Sequence, residues 1–139
     1  MSNLVEPHGS KTLKPLIIED KGQIEELKNK SETLKKIIVN SSAASNAVML
    51  GAGYFTPLSG FMDKKDTMSV AENMVTENGL FWPIPVINLV KKVGGINIGE
   101  EISLLDPNID GNPVLALQEV SAIEELSEEE IDYLAKKIF

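Results

Sequence analysis

With 139 residues, 42% hydrophobic and 24% charged, the chain has the composition of one globular unit. A chain of this size buries roughly two-thirds of the surface its unfolded form exposes. No apolar run approaches the roughly 18 residues that span a bilayer, no secretory core opens the chain, and zero Cys excludes disulfides and thiolate metal sites. A cytoplasmic protein without a membrane partner is the expectation. All 13 basic residues are Lys, so the net charge of −8 comes with no guanidinium fork for clamping phosphate or sulfate. The excess acid lies late: residues 1–40 hold seven Lys against six acids, and residues 91–139 hold four against eleven. A polyanion would be repelled there, which makes nucleic acid an unlikely partner on charge alone.

In chain order, residues 3–14 read as an extended or turn-rich segment, with Pro7 and Gly9 bracketing His8. Leu16, Ile17 and Ile18 then make a short strand candidate. Asp20 and Gln23 have capping-box spacing and open a charged helix reaching towards Lys35, with Ile24, Leu27 and Leu34 near one face. Ile37 to Val39 are too few and too β-branched for anything but a strand. Ser41 or Ser42 can cap a small-residue helix through Ala43, Ala47, Val48 and Leu50, ended by Gly51 or Gly53. Asp66 can cap a further helix with Met68, Ala71 and Val75 inward and Gly79 as its stop.

Residues 84–90 are a strand candidate whose start is demoted by Pro83 and Pro85. A Gly94–Gly95 turn follows. Residues 102–105 and 114–123 read as the arms of a hairpin around the turn residues Asp106, Pro107, Asp110, Gly111, Asn112 and Pro113. Ser127 and Glu130 form a second capping box, opening a last helix with Ile131, Leu134 and Ile138 on one face. Its Glu128, Glu129 and Glu130 suit the positive end of the helix dipole, and Lys136 and Lys137 the other. Short strands interleaved with helices predict an α+β fold around a small mixed sheet or open barrel.

Chemistry is scarce in this inventory. Gly51-Ala52-Gly53 begins like a dinucleotide fingerprint, but Thr56 stands where the third Gly belongs, and the glycines end a helix instead of opening one. His8 is the sole imidazole, without visible partner ligands or an orienting acid, so a structural or surface role is expected. Glu100, Glu101, Asp106 and Asp110 read as hairpin and turn residues, since no calcium-loop pattern accompanies them. Thr56 and Ser59 have no base nearby in sequence to activate them. The sequence therefore predicts no catalytic, cofactor-binding or metal-binding residue.

Two segments are far more specific than the rest. Residues 51–62, GAGYFTPLSGFM, and residues 78–86, NGLFWPIPV, hold five of the seven aromatic side chains and the single Trp. Glycines that permit unusual φ and prolines that fix it alternate here with large apolar groups. This pattern anchors a turn in a core or an interface, and Phe55, Pro57, Leu58, Gly60, Phe61, Trp82, Pro83 and Pro85 are the residues expected to form that anchor. An exposed apolar patch including Phe55, Leu58, Phe61 or Trp82 is the expected mark of an interface.

Both segments resemble motifs of the ATP sulfurylase (sulfate adenylyltransferase) family: a glycine–aromatic–Ser/Thr-Pro-Leu-any-Gly-Phe-Met run, and an Asn/Asp-Gly-any-any-Trp-Pro-Ile-Pro run. Residues 4–11 are similar to the family's Pro-His-Gly-Gly stretch, and residues 99–120 to its acidic strand and Gly-Asn-Pro turn. The resemblance implies a PUA-like pseudo-barrel of mixed strands with several short helices, spanning residues 1–139 as a single N-terminal domain. It also implies a reaction for the full-length enzyme, in which sulfate attacks the α-phosphorus of ATP, with magnesium, to give adenosine 5′-phosphosulfate and pyrophosphate. The family's Gln-any-Arg-Asn and paired-His motifs have no counterpart in a chain without Arg and with one His, and residues 134–139 resemble the segment just before the catalytic domain. The implied role is thus a non-catalytic domain that supports and closes over a catalytic domain, on the same or a separate chain, within an enzyme that can form homo-oligomers. This chain alone is expected to be inactive. Near Ser42 and Asn46 many relatives of the resembled family carry Arg and Asp, a charge pair that this chain lacks. The competing expectation is a stand-alone PUA-like module binding RNA or a protein.

Overall fold

The computed structural model describes residues 4–138; Asn3 and Phe139, at the edges of two expected segments, lie outside it. The first helix, α1 (Lys21–Thr33), starts as its capping residues require: the Asp20 carboxylate accepts the Gln23 N–H at 2.8 Å. Ile24, Leu27 and Leu34 are half-buried while the Lys and Glu side chains face solvent. The helix ends at Thr33 because Leu34 is already extended, and β1 (Lys35–Ile38) follows directly.

Strand β1 lies parallel to β2 (Glu101–Leu105), pairing Lys35 with Ile102, and β2 runs antiparallel to β3 (Val114–Glu119), pairing Ile102 with Gln118. The result is an open three-stranded mixed sheet in the order β1-β2-β3, accompanied by four helices in an α+β arrangement. Side chains alternate across a strand, so β2 is covered on both faces. Ile102 and Leu104 enter an apolar cluster with Val39, Ala43, Ala44, Ile96 and Val120. Ser103 is fully buried in the opposite direction, and its hydroxyl donates to the Ser31 carbonyl at the end of α1 at 2.9 Å. The β2–β3 turn is closed by the Asp106 N–H to the Pro113 carbonyl at 2.9 Å.

Helix α2 (Ser41–Ala52) lays Ala43 and Ala44 on the sheet. Its N-cap is Asn40, one residue before the expected serines: the Asn40 side chain accepts the Ala43 N–H at 2.8 Å, and Ser41 instead donates to Asn108 in the hairpin turn. Gly53, at φ +83°, is its C-cap, with Gly51 inside the last turn. A Cβ on Gly53 would stand 3.3 Å from the backbone of Pro15. Gly53→Ala is therefore expected to cost about 1–2 kcal/mol from the left-handed conformation alone, and more once Pro15 is displaced, read as a lower urea midpoint.

Helix α3 (Lys64–Asn73) is capped by Asp63, not Asp66; the Asp63 carboxylate accepts the Asp66 N–H at 2.8 Å. Of two aspartates three residues apart, the first caps the helix and the second is freed to accept the Glu77 N–H at 2.8 Å. The inward residues are Thr67 and Val70, with Met68, Ala71 and Val75 half-buried beside them. Met74, itself left-handed at φ 56°, ends the helix before Gly79 is reached.

Two expected strands do not form. The backbone N–H groups of Leu16 and Ile17 both converge on the Gly51 carbonyl at 3.0 Å, so this segment straps the end of α2 instead of joining the sheet. Residues 84–90 form no ladder: Pro83 and Pro85 offer no donors, and the backbone of Val86 bonds to Met62, accepting its N–H at 2.7 Å. An isolated bridge joins Val75 to Phe81.

The last helix, α4 (Glu128–Ile138), packs on α3 and opens with the expected capping box: Ser127 N–H donates to the Glu130 carboxylate at 3.0 Å, and Glu130 N–H to the Ser127 hydroxyl at 3.2 Å. Leu134 is buried and Ile138 half-buried, while Ile131 faces solvent. Lys64 Nζ pairs with Glu130 at 2.9 Å, tying the two helices at their N-terminal ends. The Ser127 N–H, and then Lys64, hold the Glu130 carboxyl below its ordinary value of 4.5. A group depressed in the folded state contributes stability above its unfolded value, lost as pH falls through the folded one. The melting temperature is thus expected to fall on acidification below about 4.5, and Glu130→Gln to lower it at neutral pH while flattening that part of the acid profile.

Candidate functional site

The two specific segments meet beneath α2 and α3 in a second apolar cluster built on Leu50, Val70, Trp82 and Val86, with Phe55, Leu58, Phe61, Met62 and Leu80 packed against them. Phe55 meets Trp82 edge to face, with ring centroids 5.7 Å apart at 84°. Phe61 touches both clusters and joins them. The Trp82 N–H donates to the Met74 carbonyl at 2.8 Å, which sets the depth at which the indole enters.

Of the eight anchor residues, Trp82 and Pro85 are buried, Phe55, Pro57, Leu58, Gly60 and Phe61 are half-buried, and Pro83 is exposed. The expected exposed patch of Phe55, Leu58, Phe61 and Trp82 is not seen: these side chains turn inward because each has an apolar neighbour from the other segment or from α3. The aromatic groups left in solvent are their sequence neighbours, Tyr54 and Phe81.

Sequence reasoning missed what these segments grip. His8 Nε2 donates to the Phe81 carbonyl at 2.7 Å, and its ring lies 5.9 Å from that of Trp82. Gly9, at φ +64°, is pressed against Leu80 and Pro57. The Lys14 N–H donates to the buried Thr56 hydroxyl at 3.0 Å, which itself donates to the Gly53 carbonyl at 2.7 Å. With Pro15 on Gly53 and residues 16–17 on Gly51, both motifs form a cradle for segment 8–17. Such contacts span more than thirty residues and leave no periodic trace; the clustering of glycine and proline was the only local signal.

A shallow cleft of about 300 Å³ opens between the segments, with Pro57, Leu58 and Ser59 on one side and Thr76 and Asn78 on the other. Thr76 and Asn78 bond to each other through their side chains. The charged groups at its rim are Asp66 and Glu77, which would repel a nucleotide or sulfate. The paired acids at the start of β2 are each met by a lysine: Glu100 by Lys35 at 2.9 Å and Glu101 by Lys30 at 2.6 Å. The Lys35 ammonium, with Asn97, holds the Glu100 carboxyl below the usual range. Among the described residues no group of three or more His, Asp or Glu converges as a metal site, and no helix is long and apolar enough to cross a membrane.

An open mixed sheet flanked by short helices and built over a buried aromatic anchor defines an α+β domain. Residues 5–138 match the family model of the PUA-like domain, and the chain belongs to that family. It is similar to curated proteins named sulfate adenylyltransferase: 48% identical to that of Alcanivorax borkumensis over 139 residues, all of this chain and 35% of the relative. It is 40% identical to that of Allochromatium vinosum over 136 residues, 98% of this chain and 34% of the relative. The chain thus spans about a third of the length of these relatives. A solved structure described as a hexameric APS kinase from Thiobacillus denitrificans superposes with a TM-score of 0.71 at 28% identity, over 90% of this chain and 24% of that one.

Proposed function

We propose that this chain serves as the N-terminal, non-catalytic domain of a sulfate adenylyltransferase, supporting and closing over a catalytic portion that joins ATP to sulfate. The observation that carries this reading is the end-to-end match to one third of a relative at 48% identity. The site agrees with it in kind: the specific segments hold a core and a cradle. ATP and magnesium belong, on this reading, to the remaining portion, in a cytoplasmic enzyme that assembles as a homo-oligomer. The RNA-binding alternative gains nothing from a chain with a net charge of −8, without Arg, in which Lys35 and Lys64 are engaged by glutamates.

A chimera in which this chain replaces the matched third of the Alcanivorax relative tests the proposal. Sulfate-dependent ATP–pyrophosphate exchange is expected within about tenfold of the parent, and none from the 139-residue chain alone. A folded chimera without exchange, or exchange by the isolated chain, would overturn it.

A further inference from the structure

Residues 40–62 contain no charged side chain, although 24% of the chain is charged. This stretch includes all of α2, whose outward positions Ser41, Ser42, Ser45, Val48, Met49 and Ala52 are exposed yet uncharged. A helix face in contact with water ordinarily carries charge. At the last turn of α2 the apolar side chains thicken. Val48 is 57% exposed and Tyr54 78%, and the Tyr54 N–H is held by the Met49 carbonyl at 3.1 Å. The bonds from Leu16 and Ile17 to the Gly51 carbonyl bring two further exposed apolar residues, Ile17 at 61%, to the same turn. Exposed apolar side chains gathered at one turn are what a contact with another protein surface requires.

We infer that the face formed by Leu16, Ile17, Val48, Met49 and Tyr54 docks on the remaining portion of the longer protein, against an uncharged apolar surface; this rests on the function proposed above. Two observations select that occupant. The relatives extend over nearly two-thirds of their length beyond the matched part, which supplies a covalently joined partner. A joined partner acts at high effective concentration, so a small patch suffices. Five large side chains fall well short of the roughly 20–30 residues a side that separate chains use for a stable interface.

The test uses the chimera described above and reads its thermal unfolding by calorimetry. Val48→Glu and Ile17→Glu change solvent-facing positions, and in the isolated chain both are expected to leave the melting temperature within about 2 °C. In the chimera each is expected to split one cooperative transition into two and to lower sulfate-dependent exchange at least fivefold. Ile109→Glu, equally exposed but in the β2–β3 turn, is expected to do neither. A chimera without exchange sinks the functional proposal itself. An active chimera whose transition stays single in both patch variants, or already has two transitions before substitution, overturns the docking face. Self-association of the isolated chain abolished by Val48→Glu would assign the face to a second copy and overturn it equally.

Discussion

Trp82→Ala is expected to lower the unfolding free energy by about 3–5 kcal/mol, the usual cost of removing a buried aromatic side chain and leaving a cavity. Trp82 is 8% exposed and stands at the centre of the second cluster, against Leu50, Val70 and Val86. Its edge-to-face contact with Phe55 adds an aromatic term of about 0.5–1.5 kcal/mol to the area lost. Since domains of this size are stable by about 5–15 kcal/mol, a large part of the total depends on one side chain. Urea unfolding followed by far-UV circular dichroism measures it, because the substitution removes the only tryptophan. Phe81→Ala is the matching control: adjacent in sequence but exposed, it is expected to cost less than about 1 kcal/mol. Equal costs at the two positions would show that the indole is not the packed centre of the cluster.

Leu104→Ala is expected to cost about 2–5 kcal/mol, again through lost burial and an unfilled cavity. Leu104 lies on the central strand and is 2% exposed, with Ile102 and the alanines of α2 around it. Strand β2 is hydrogen-bonded on both sides and cannot shift to close the gap without breaking its register with β1 and β3. A lower urea midpoint with an unchanged slope is the expected signature. A midpoint unchanged within error would mean that the first cluster contributes little. The two clusters share Phe61, so combining Leu104→Ala with Trp82→Ala is expected to leave the chain unfolded in native buffer.

Elements with their own local logic were legible in the sequence. Helices α1 and α4 begin at Asp20 and Ser127 because a capping side chain bonds a backbone N–H three residues on, an interaction complete within one turn. The β2–β3 hairpin followed from turn residues between two apolar arms. Where two equivalent local solutions competed, the reading slipped: Asn40 outcompeted Ser41 and Ser42, and Asp63 outcompeted Asp66. Residues 16–18 and 84–90 failed as strands because their backbone groups bond elsewhere: the Leu16 and Ile17 N–H groups to Gly51, and Val86 to Met62.

The site divides along the same line. The sequence by itself determined that residues 51–62 and 78–86 combine restricted backbone with large apolar side chains, since glycine, proline and aromatic content act through φ restriction and side-chain type alone. Only the tertiary structure decided which side chains face inward. Phe55 and Trp82 close the core, while Tyr54 and Phe81, one residue away from each, are left in solvent. It alone decided that both motifs grip segment 8–17, and that the exposed apolar face lies at the end of α2. Those outcomes rest on packing between residues far apart in the chain, where burial is decided by the available neighbour and not by the residue's own preference.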